Sequence, residues 1–263
     1  MDTSYWRTQP PGSPLFPDIE WSRPEQRAHA GKLGIIGGNK LGFAAVAEAY
    51  GESLSSGAGQ VKVLLPDSLK KSIPPTISDA VFASSTVSGS INKEAVSDMS
   101  ALGNWANLIL FIGDAGRNSE TAIAYETFVD SYTGPLMITR DAVDLIKNSF
   151  HAIVERQRTA LIISFAQLQN MLRSVYYPKM VTYSMQLNTL VETLHKVTIT
   201  YPITVVTLHQ NHLIIAHDGR VVTQPWDNPM RIWRGNVATR AACYWLWNPE
   251  KPLEAIATSI ATS

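Results

Sequence analysis

The sequence has little cysteine and little charge. Cys243 is its single cysteine among 263 residues, so no disulfide can form within the chain, and a reducing compartment such as the cytoplasm is expected. Only 17% of the residues are charged, and 22 basic residues balance 22 acidic ones. A chain without excess positive charge has no broad basic face for nucleic acid. We therefore expect no nucleic-acid partner.

Long hydrophobic runs are also missing. A membrane-spanning helix needs about 18 or more apolar residues in a row, whereas residues 108–113 form a run that suits only a strand. Residues 1–9 lack the apolar stretch of a secretory signal. Because 45% of the residues are hydrophobic, the chain can still bury a sizeable core. These features predict a folded protein with no membrane partner, located in the cytoplasm.

Prolines are concentrated near the start of the chain. Five of the 15 prolines fall within residues 1–31, where few apolar positions recur periodically. We predict an extended arm there that lies on a neighbouring surface, with Trp6, Phe16 and Trp21 as candidate anchors; a loose tail is the alternative. No linker divides residues 32–263, which are predicted to form one domain.

Apolar runs alternate with helical patterns through most of the chain. Strand-like runs occupy residues 33–36, 61–65, 80–83, 108–112, 136–138 and 161–163. Helical spacing is found in residues 46–54, 121–129, 141–146, 165–175 and 187–194. The alternation predicts an α/β fold with a mostly parallel central sheet flanked by helices. Consecutive short strands are predicted at 203–208, 213–216 and 221–223, followed by helices near 237–246 and 253–261. Asp218-Gly219 is a strong hairpin-turn signal between the last two strands.

Three glycine-containing loops are candidates for ligand binding. Gly37-Gly38-Asn39 follows the first strand of the domain, and Gly113-Asp114-Ala115-Gly116 follows the most apolar one. Gly235-Asn236 begins a helix, where free amides and the helix dipole favour an anion. Ligands of parallel sheets bind beyond the carboxyl ends of the strands, so these loops predict a cleft at that edge.

The segments that carry a family resemblance are the stretch His-Ala-Gly-Lys-Leu-Gly-Ile-Ile-Gly-Gly-Asn at residues 29–39, Ala44-Ala45 and residues 56–61. Matching landmarks continue at residues 110–113, 135–141, 205–221 and 228–236. Together they resemble the ADP-dependent NAD(P)H-hydrate dehydratases of the ribokinase-like superfamily. The resemblance implies a ribokinase-like domain over residues 32–263. It also implies repair of hydrated NADH or NADPH, in which ADP or ATP, with Mg²⁺ as a possible companion, phosphorylates the hydrate before elimination.

The same resemblance implies roles for individual residues. Those expected at the nucleotide are Gly235, His209 and Trp233, and those expected around the hydrate are Gly37, Gly38, Ala44, Ala115, Gly116 and Ser164. His209 stands where the family has a lysine, and Ser164 where it has a histidine. Asn236 occupies the position of the family aspartate that acts on the substrate hydroxyl. An amide accepts no proton near neutral pH, and losing a general base typically costs ~10²–10⁴-fold in rate. The dehydratase activity is therefore expected to be weakened or lost.

A second hypothesis is a catalytically silent ribokinase-fold protein that binds a nucleotide or a protein partner. The low surface charge also predicts a homo-oligomer. Asp114 and Asp141 both follow strands and are candidates for holding Mg²⁺ through water, although a helix cap is the favoured interpretation of Asp141. No direct metal site is predicted, because His209 and His212 would face opposite sides of a strand.

Overall fold

A sheet of ten strands runs through the computed structural model, which describes residues 3–263. The strands are β1 (Trp6–Thr8), β2 (Lys32–Gly37), β3 (Gln60–Pro66), β4 (Ala80–Ala83), β5 (Leu108–Gly113), β6 (Leu136–Thr139), β7 (Thr159–Ile163), β8 (Ile203–His209), β9 (His212–His217) and β10 (Arg220–Pro225). Their spatial order is β1-β10-β9-β8-β7-β6-β5-β2-β3-β4. Every pair from β8 through to β4 is parallel, and β9 is antiparallel to both of its neighbours. The predicted α/β class is confirmed.

Helices cover both faces of this sheet. They are α1 (Asp18–Trp21), α2 (Ala44–Ser56), α3 (Val96–Trp105), α4 (Ser119–Ser131), α5 (Asp141–Leu145), α6 (Phe150–Glu155), α7 (Phe165–Ser174), α8 (Leu187–Thr200), α9 (Pro229–Trp233), α10 (Asn236–Trp247) and α11 (Pro252–Ala261). Within residues 3–263, none of these helices has the length and apolar character needed to cross a membrane.

The core consists of two apolar layers, one on each face of the sheet. Strand β5 shows the arrangement, since Ile109 and Phe111 belong to one layer and Leu108, Leu110 and Ile112 belong to the other. Successive side chains of a strand point to opposite faces, so a continuous apolar run is what a sheet buried on both sides requires. Residues of α3–α8 complete the first layer, and residues of α2, α10 and α11 complete the second.

Four helices had no predicted counterpart, α1, α3, α6 and α9, and of these only α3 is longer than six residues. The α3 sequence is rich in small and polar residues and buries only Met99, Leu102 and Gly103. Gly103 lies against the Tyr132 ring, where an added Cβ would come within 3.1 Å of ring carbons. Helix α6 is a short segment of six residues. Tertiary packing, rather than periodicity, therefore determines these helices.

The hairpin predicted at Asp218-Gly219 is confirmed. Both residues have positive φ angles, 47° and 68°, as the tightest hairpin turns require. The turn joins β9 to β10 in antiparallel register.

Within the predicted arm, residues 3–31, a short strand and a short helix lie on the domain. Strand β1 pairs in parallel with β10, and the Trp6 indole N–H donates to Thr223 Oγ1 over 2.9 Å. Gln9 is fully buried, and its side-chain amide donates to Gln224 and to the Ala257 carbonyl, both over 2.8 Å. The expectation that Trp21 anchors the arm is wrong, because Trp21 is 85% exposed. Residues 1 and 2 lie outside the described part of the chain.

Candidate functional site

The three predicted glycine loops meet at the carboxyl edge of the parallel strands. The Gly38 amide donates to the Gly113 carbonyl over 2.9 Å, and a Cβ on Gly37 would come within 2.4 Å of that same oxygen. Gly235 packs on the other side, where an added Cβ would lie 2.6 Å from Ile112 of β5. Gly37 must be glycine because its backbone lies against that of Gly113, and a Cβ on Gly235 would collide with the Ile112 side chain. The predicted residues Gly37, Gly38 and Gly235 are therefore neighbours of one cleft.

An open cavity of about 580 Å³ lies beside the first two of these loops, and the Gly235-Asn236 loop is not part of its lining. Polar residues dominate its lining, which includes Asn39, Ser88, Ser90, Asp114, Gly116, Asn118 and Asp141. Of the residues predicted to border a substrate, Gly116 lines this cavity and Ala115 is buried behind it. Ala44 is exposed at the start of α2.

Asp141 binds the backbone of the loop after β5. Its two carboxylate oxygens accept hydrogen bonds from the amides of Asp114, over 2.8 Å, and Ala115, over 3.1 Å. The favoured interpretation of Asp141 as a helix cap is wrong, since Arg140 is the N-cap residue of α5 and no side chain caps that helix. The negative charge instead fixes two amides of a neighbouring loop.

The Asp114 carboxylate is also bound by groups of the protein itself. One oxygen accepts from the Ala45 amide over 2.7 Å, and the other is paired with the Arg140 guanidinium over 2.6 Å. Both side chains of this pair are mostly buried, with 22% of Arg140 and 19% of Asp114 exposed. Asp114 adopts a left-handed backbone (φ 54°), and the Asn39 side-chain amide donates to its carbonyl. The loop that was a candidate Mg²⁺ site is therefore held by hydrogen bonds on every side.

Arg140 is a central residue that the sequence reasoning missed. It too has a left-handed φ of 57°, and it donates a second hydrogen bond to the Trp233 carbonyl. Its side-chain Nε is buried and has no partner among residues 3–263. The only sequence signal was its position directly after a buried strand and before Asp141.

The start of α10 offers free backbone donors. Gly235 precedes the helix in a left-handed conformation (φ 91°), and no side chain caps the helix. Among residues 3–263, no partner is seen for the amides of Asn236, Val237 and Ala238. Such amides, together with the helix dipole, favour an anion. Trp233, predicted at the nucleotide, is 40% exposed beside this turn.

Ser164 has a structural role at the start of α7. Its hydroxyl accepts from the Gln167 amide over 3.2 Å, while the Gln167 side chain accepts from the Ser164 amide over 3.0 Å. This reciprocal pair is the capping box of α7. The Gln167 side-chain amide also donates to the Arg140 carbonyl over 2.8 Å, and this contact fixes the backbone of that arginine.

His209 is fully buried, away from the open cavity. Its Nε2 donates to the Met185 carbonyl over 2.7 Å, and its ring lies against Phe165 and Tyr183, with centroids 5.0 and 5.8 Å away. Residues 176–186, here called the strap, cover it. His212 is its cross-strand partner in the β8–β9 hairpin. Among residues 3–263, none of the hydrogen bonds or ring contacts of His209 reaches residues 233–238, where the nucleotide is expected.

Metal ligands are sparse in the part of the chain that the structure describes. Residues 3–263 contain no cluster of three or more histidine, cysteine, aspartate or glutamate side chains that suits a metal ion.

Tyr125 lies close to Asp141 and is buried, and its hydroxyl has no hydrogen-bond partner among residues 3–263. Burial and the negative charge of Asp141 raise the pKa of Tyr125 above the ordinary range. Burial therefore favours the neutral form of the phenol.

Comparisons with known proteins match this chain in structure but not in sequence. No protein-family model matches the sequence, and no curated protein matches it. A ribokinase-like superfamily protein from Enterococcus faecalis V583 aligns over 100% of this chain and 88% of its own, with a TM-score of 0.71 and 15% identity. A hypothetical protein from Streptococcus mutans gives a TM-score of 0.67 and 13% identity over 92% of this chain and 84% of its own.

A third structural neighbour has a stated activity. It is the ADP/ATP-dependent NAD(P)H-hydrate dehydratase from Bacillus subtilis, co-crystallized with ATP and Mg²⁺. Its TM-score is 0.59 at 12% identity, over 92% of this chain and 84% of that one. Likeness at such low identity establishes the fold alone. The ribokinase-like fold predicted from the sequence is confirmed.

Proposed function

We propose that this chain is a ribokinase-fold protein that binds the phosphate of a nucleotide such as ADP or ATP and does not catalyse dehydration of hydrated NAD(P)H. The observation that carries the proposal is the bonding of the cleft carboxylates. The Asp114 carboxylate accepts hydrogen bonds from the Ala45 amide and the Arg140 guanidinium. The Asp141 carboxylate accepts hydrogen bonds from the amides of Asp114 and Ala115. Each of these four oxygens already accepts a hydrogen bond from the protein, so neither carboxylate offers an unengaged oxygen to a substrate hydroxyl.

Phosphoryl transfer to a hydroxyl needs a group that takes the hydroxyl proton. Asn236 stands where the resembling family has an aspartate, and its amide has no basic atom near neutral pH. Asp114 is a poor replacement, because its two carboxylate oxygens are already bound, one by the Ala45 amide and the other by the Arg140 guanidinium. Together these features support a loss of the chemical step.

Phosphate binding is supported by the start of α10. The free amides of Asn236, Val237 and Ala238 are donors that an oxyanion can use. The half-exposed Trp233 ring offers a surface on which an adenine can stack. The carboxylates of Asp114 and Asp141 are bound to groups of the protein, so neither is a free ligand for Mg²⁺. A Mg²⁺ ion would therefore enter the site bound to the nucleotide phosphates.

The proposal is tested with titration calorimetry and a dehydration assay on the intact protein. Wild type is titrated with ADP and ATP, with and without Mg²⁺, and then mixed with hydrated NADH and nucleotide while the return of NADH absorbance is followed. We expect nucleotide binding without recovery of NADH. Asn236→Asp is the informative variant, and Asn211→Asp, an exposed asparagine in the β8–β9 turn, is the matched control.

Two results would overturn this function. Sustained recovery of NADH by the wild-type protein would show that it is an active dehydratase. If neither the wild-type protein nor the variants Arg140→Gly and Asp114→Asn, described below, bind a nucleotide, the proposed nucleotide binding is wrong. The hypothesis of a protein partner would then remain. The homo-oligomer predicted from the low charge remains a proposal, and sedimentation velocity measures it directly.

A further inference from the structure

The Arg140 side chain lies between the two glycines that a ligand would approach. A Cβ on Gly113 would come within 3.0 Å of Arg140 Cβ and 3.2 Å of its Nε, and a Cβ on Gly235 would lie 3.5 Å from its Cδ. The arginine stem thus packs directly on both glycines. The Arg140 side chain therefore lies directly beside Gly235, the residue that precedes α10.

The guanidinium of Arg140 also connects the two walls of the cleft. On one side it is paired with Asp114 in the loop after β5, over 2.6 Å. On the other side it donates to the carbonyl of Trp233, which ends α9 just before Gly235. One residue therefore joins the β5 loop to the turn that leads into α10.

This closed arrangement carries two unfavourable features. The backbone of Arg140 has a φ of 57° and a ψ of −140°. This conformation is unfavourable for any residue that has a Cβ atom, but not for glycine. Its Nε is buried without a partner among residues 3–263, and a buried unmet donor is destabilising. An incoming phosphate has several acceptor oxygens and can satisfy a guanidinium more completely than one carboxylate oxygen and one carbonyl.

We infer that Arg140 is an autoinhibitory latch: bound to Asp114 and Trp233, it closes the cleft and must swing away before a nucleotide phosphate reaches the amides of α10. This inference rests on the proposed nucleotide binding for its ligand. The latch itself is a contact within the chain and is tested without any ligand.

Arg140→Gly is the direct test, because glycine accepts the left-handed backbone while removing the whole side chain. Asp114→Asn is the second variant. It removes the charge that holds the guanidinium, keeps an oxygen for the Ala45 amide and suits a left-handed backbone. Arg158→Gly is the matched control, since Arg158 also has a positive φ (54°) and pairs with a carboxylate, Glu250, but lies before β7 at the opposite edge of the sheet.

Two measurements are made on all four proteins. Hydrogen exchange of peptides spanning residues 229–238 reports opening of the α9–α10 turn, and calorimetry with ADP reports access to it. Loss of a charged hydrogen-bonded contact is worth roughly a tenfold change in an equilibrium. We therefore expect about tenfold faster exchange and tighter ADP binding in Arg140→Gly and Asp114→Asn, and neither in Arg158→Gly.

Unchanged exchange in Arg140→Gly would overturn the latch, whatever happens with ADP. Wild type binding ADP as tightly as Arg140→Gly would overturn it as well, because the closed contact would then exclude nothing. Faster exchange with no ADP binding by any variant supports the latch and instead refutes the proposed nucleotide function.

Discussion

The two sides of the cleft are stabilised by different forces. On the side of β2, β5 and β6, carboxylates and amides bind backbone groups, as Asp141 does with the amides of Asp114 and Ala115. On the side of β7 and β8, the strap covers the strand ends, and the buried His209 contacts Phe165, Tyr183 and the Met185 carbonyl.

The two sides also differ in their predicted ligand contacts. The polar side contains the glycines of the first two loops, which permit the close contact between the backbones of Gly37 and Gly113. The aromatic side contains Ser164 and His209, which cap a helix and lie buried beneath the strap, respectively. On both sides of the cleft, side chains that were predicted to contact a ligand instead bind groups of the protein itself.

The largest expected effect is on the polar side. Asp141→Ala leaves the amides of Asp114 and Ala115 without their acceptor, and each unmet donor costs about 1–3 kcal/mol, so the free energy of unfolding should fall by about 4 kcal/mol. Urea unfolding measures this change. Asp130→Ala, an exposed aspartate near the end of α4, should change it by less than about 0.5 kcal/mol. A small effect of Asp141→Ala would mean that the loop after β5 does not depend on the Asp141 carboxylate for its stability.

The aromatic side should respond less strongly. His209→Ala removes a buried ring and the donor to Met185, and a cavity of this kind costs about 2–3 kcal/mol. The strap should then be cut faster by trypsin after Lys179. His212→Ala, its less buried cross-strand partner, serves as the control. Equal cleavage rates in wild type and His209→Ala would show that the contacts of His209 with Met185 and Tyr183 do not hold the strap in place.

The variant Ser164→Ala tests whether Ser164 stabilises the fold or binds a ligand. As a cap, Ser164→Ala should cost about 1 kcal/mol of stability through the lost hydrogen bond to the Gln167 amide. Because no ligand contact is assigned to it, ADP binding should not change. Ser174→Ala at the other end of α7 is the comparison, with a smaller expected loss. Weaker ADP binding at unchanged stability would place Ser164 in the binding site after all.

The smallest expected effect lies outside the cleft, at His217 on β9. Burial lowers the pKa of His217, with Asp218 opposing the shift. The unfolded chain then binds a proton more readily than the folded one, so stability is lost as the pH falls through the unfolded value near 6.5. Urea midpoints between pH 8 and pH 5, about the range in which histidine titrates, should fall less in His217→Gln than in wild type. Parallel pH profiles would rule out this contribution.

Local sequence patterns were sufficient for much of the fold. The run 108–112 was predicted as a strand because every residue in it is apolar, and it is the buried strand β5. Helix α2 ends where a glycine permits it, at Gly57 with a φ of 97°. Helix α3 escaped prediction because its burial depends on distant partners, such as the Tyr132 ring against Gly103. Periodicity detects a face within a helix, but not the surface that covers it.

The candidate site was predictable in position and only partly in chemistry. Glycines at strand ends located the cleft, because close backbone approach leaves no room for a Cβ. The partners of the polar side chains were not predictable: Asp141 binds a loop 26 residues earlier in the chain, and Arg140 reaches Trp233 across 93 positions. Such contacts depend on the order of strands in the sheet, which no local pattern encodes.

By itself, the sequence determined the class of the fold, the edge of the sheet where the cleft lies and the absence of a carboxylate at position 236, because each depends on the residue type or on its immediate neighbours. Only the tertiary structure decided that Arg140 closes the cleft and that His209 is buried beneath the strap. Those outcomes depend on charges and rings from distant segments meeting in space, where a guanidinium pairs with the carboxylate that the folded chain places beside it.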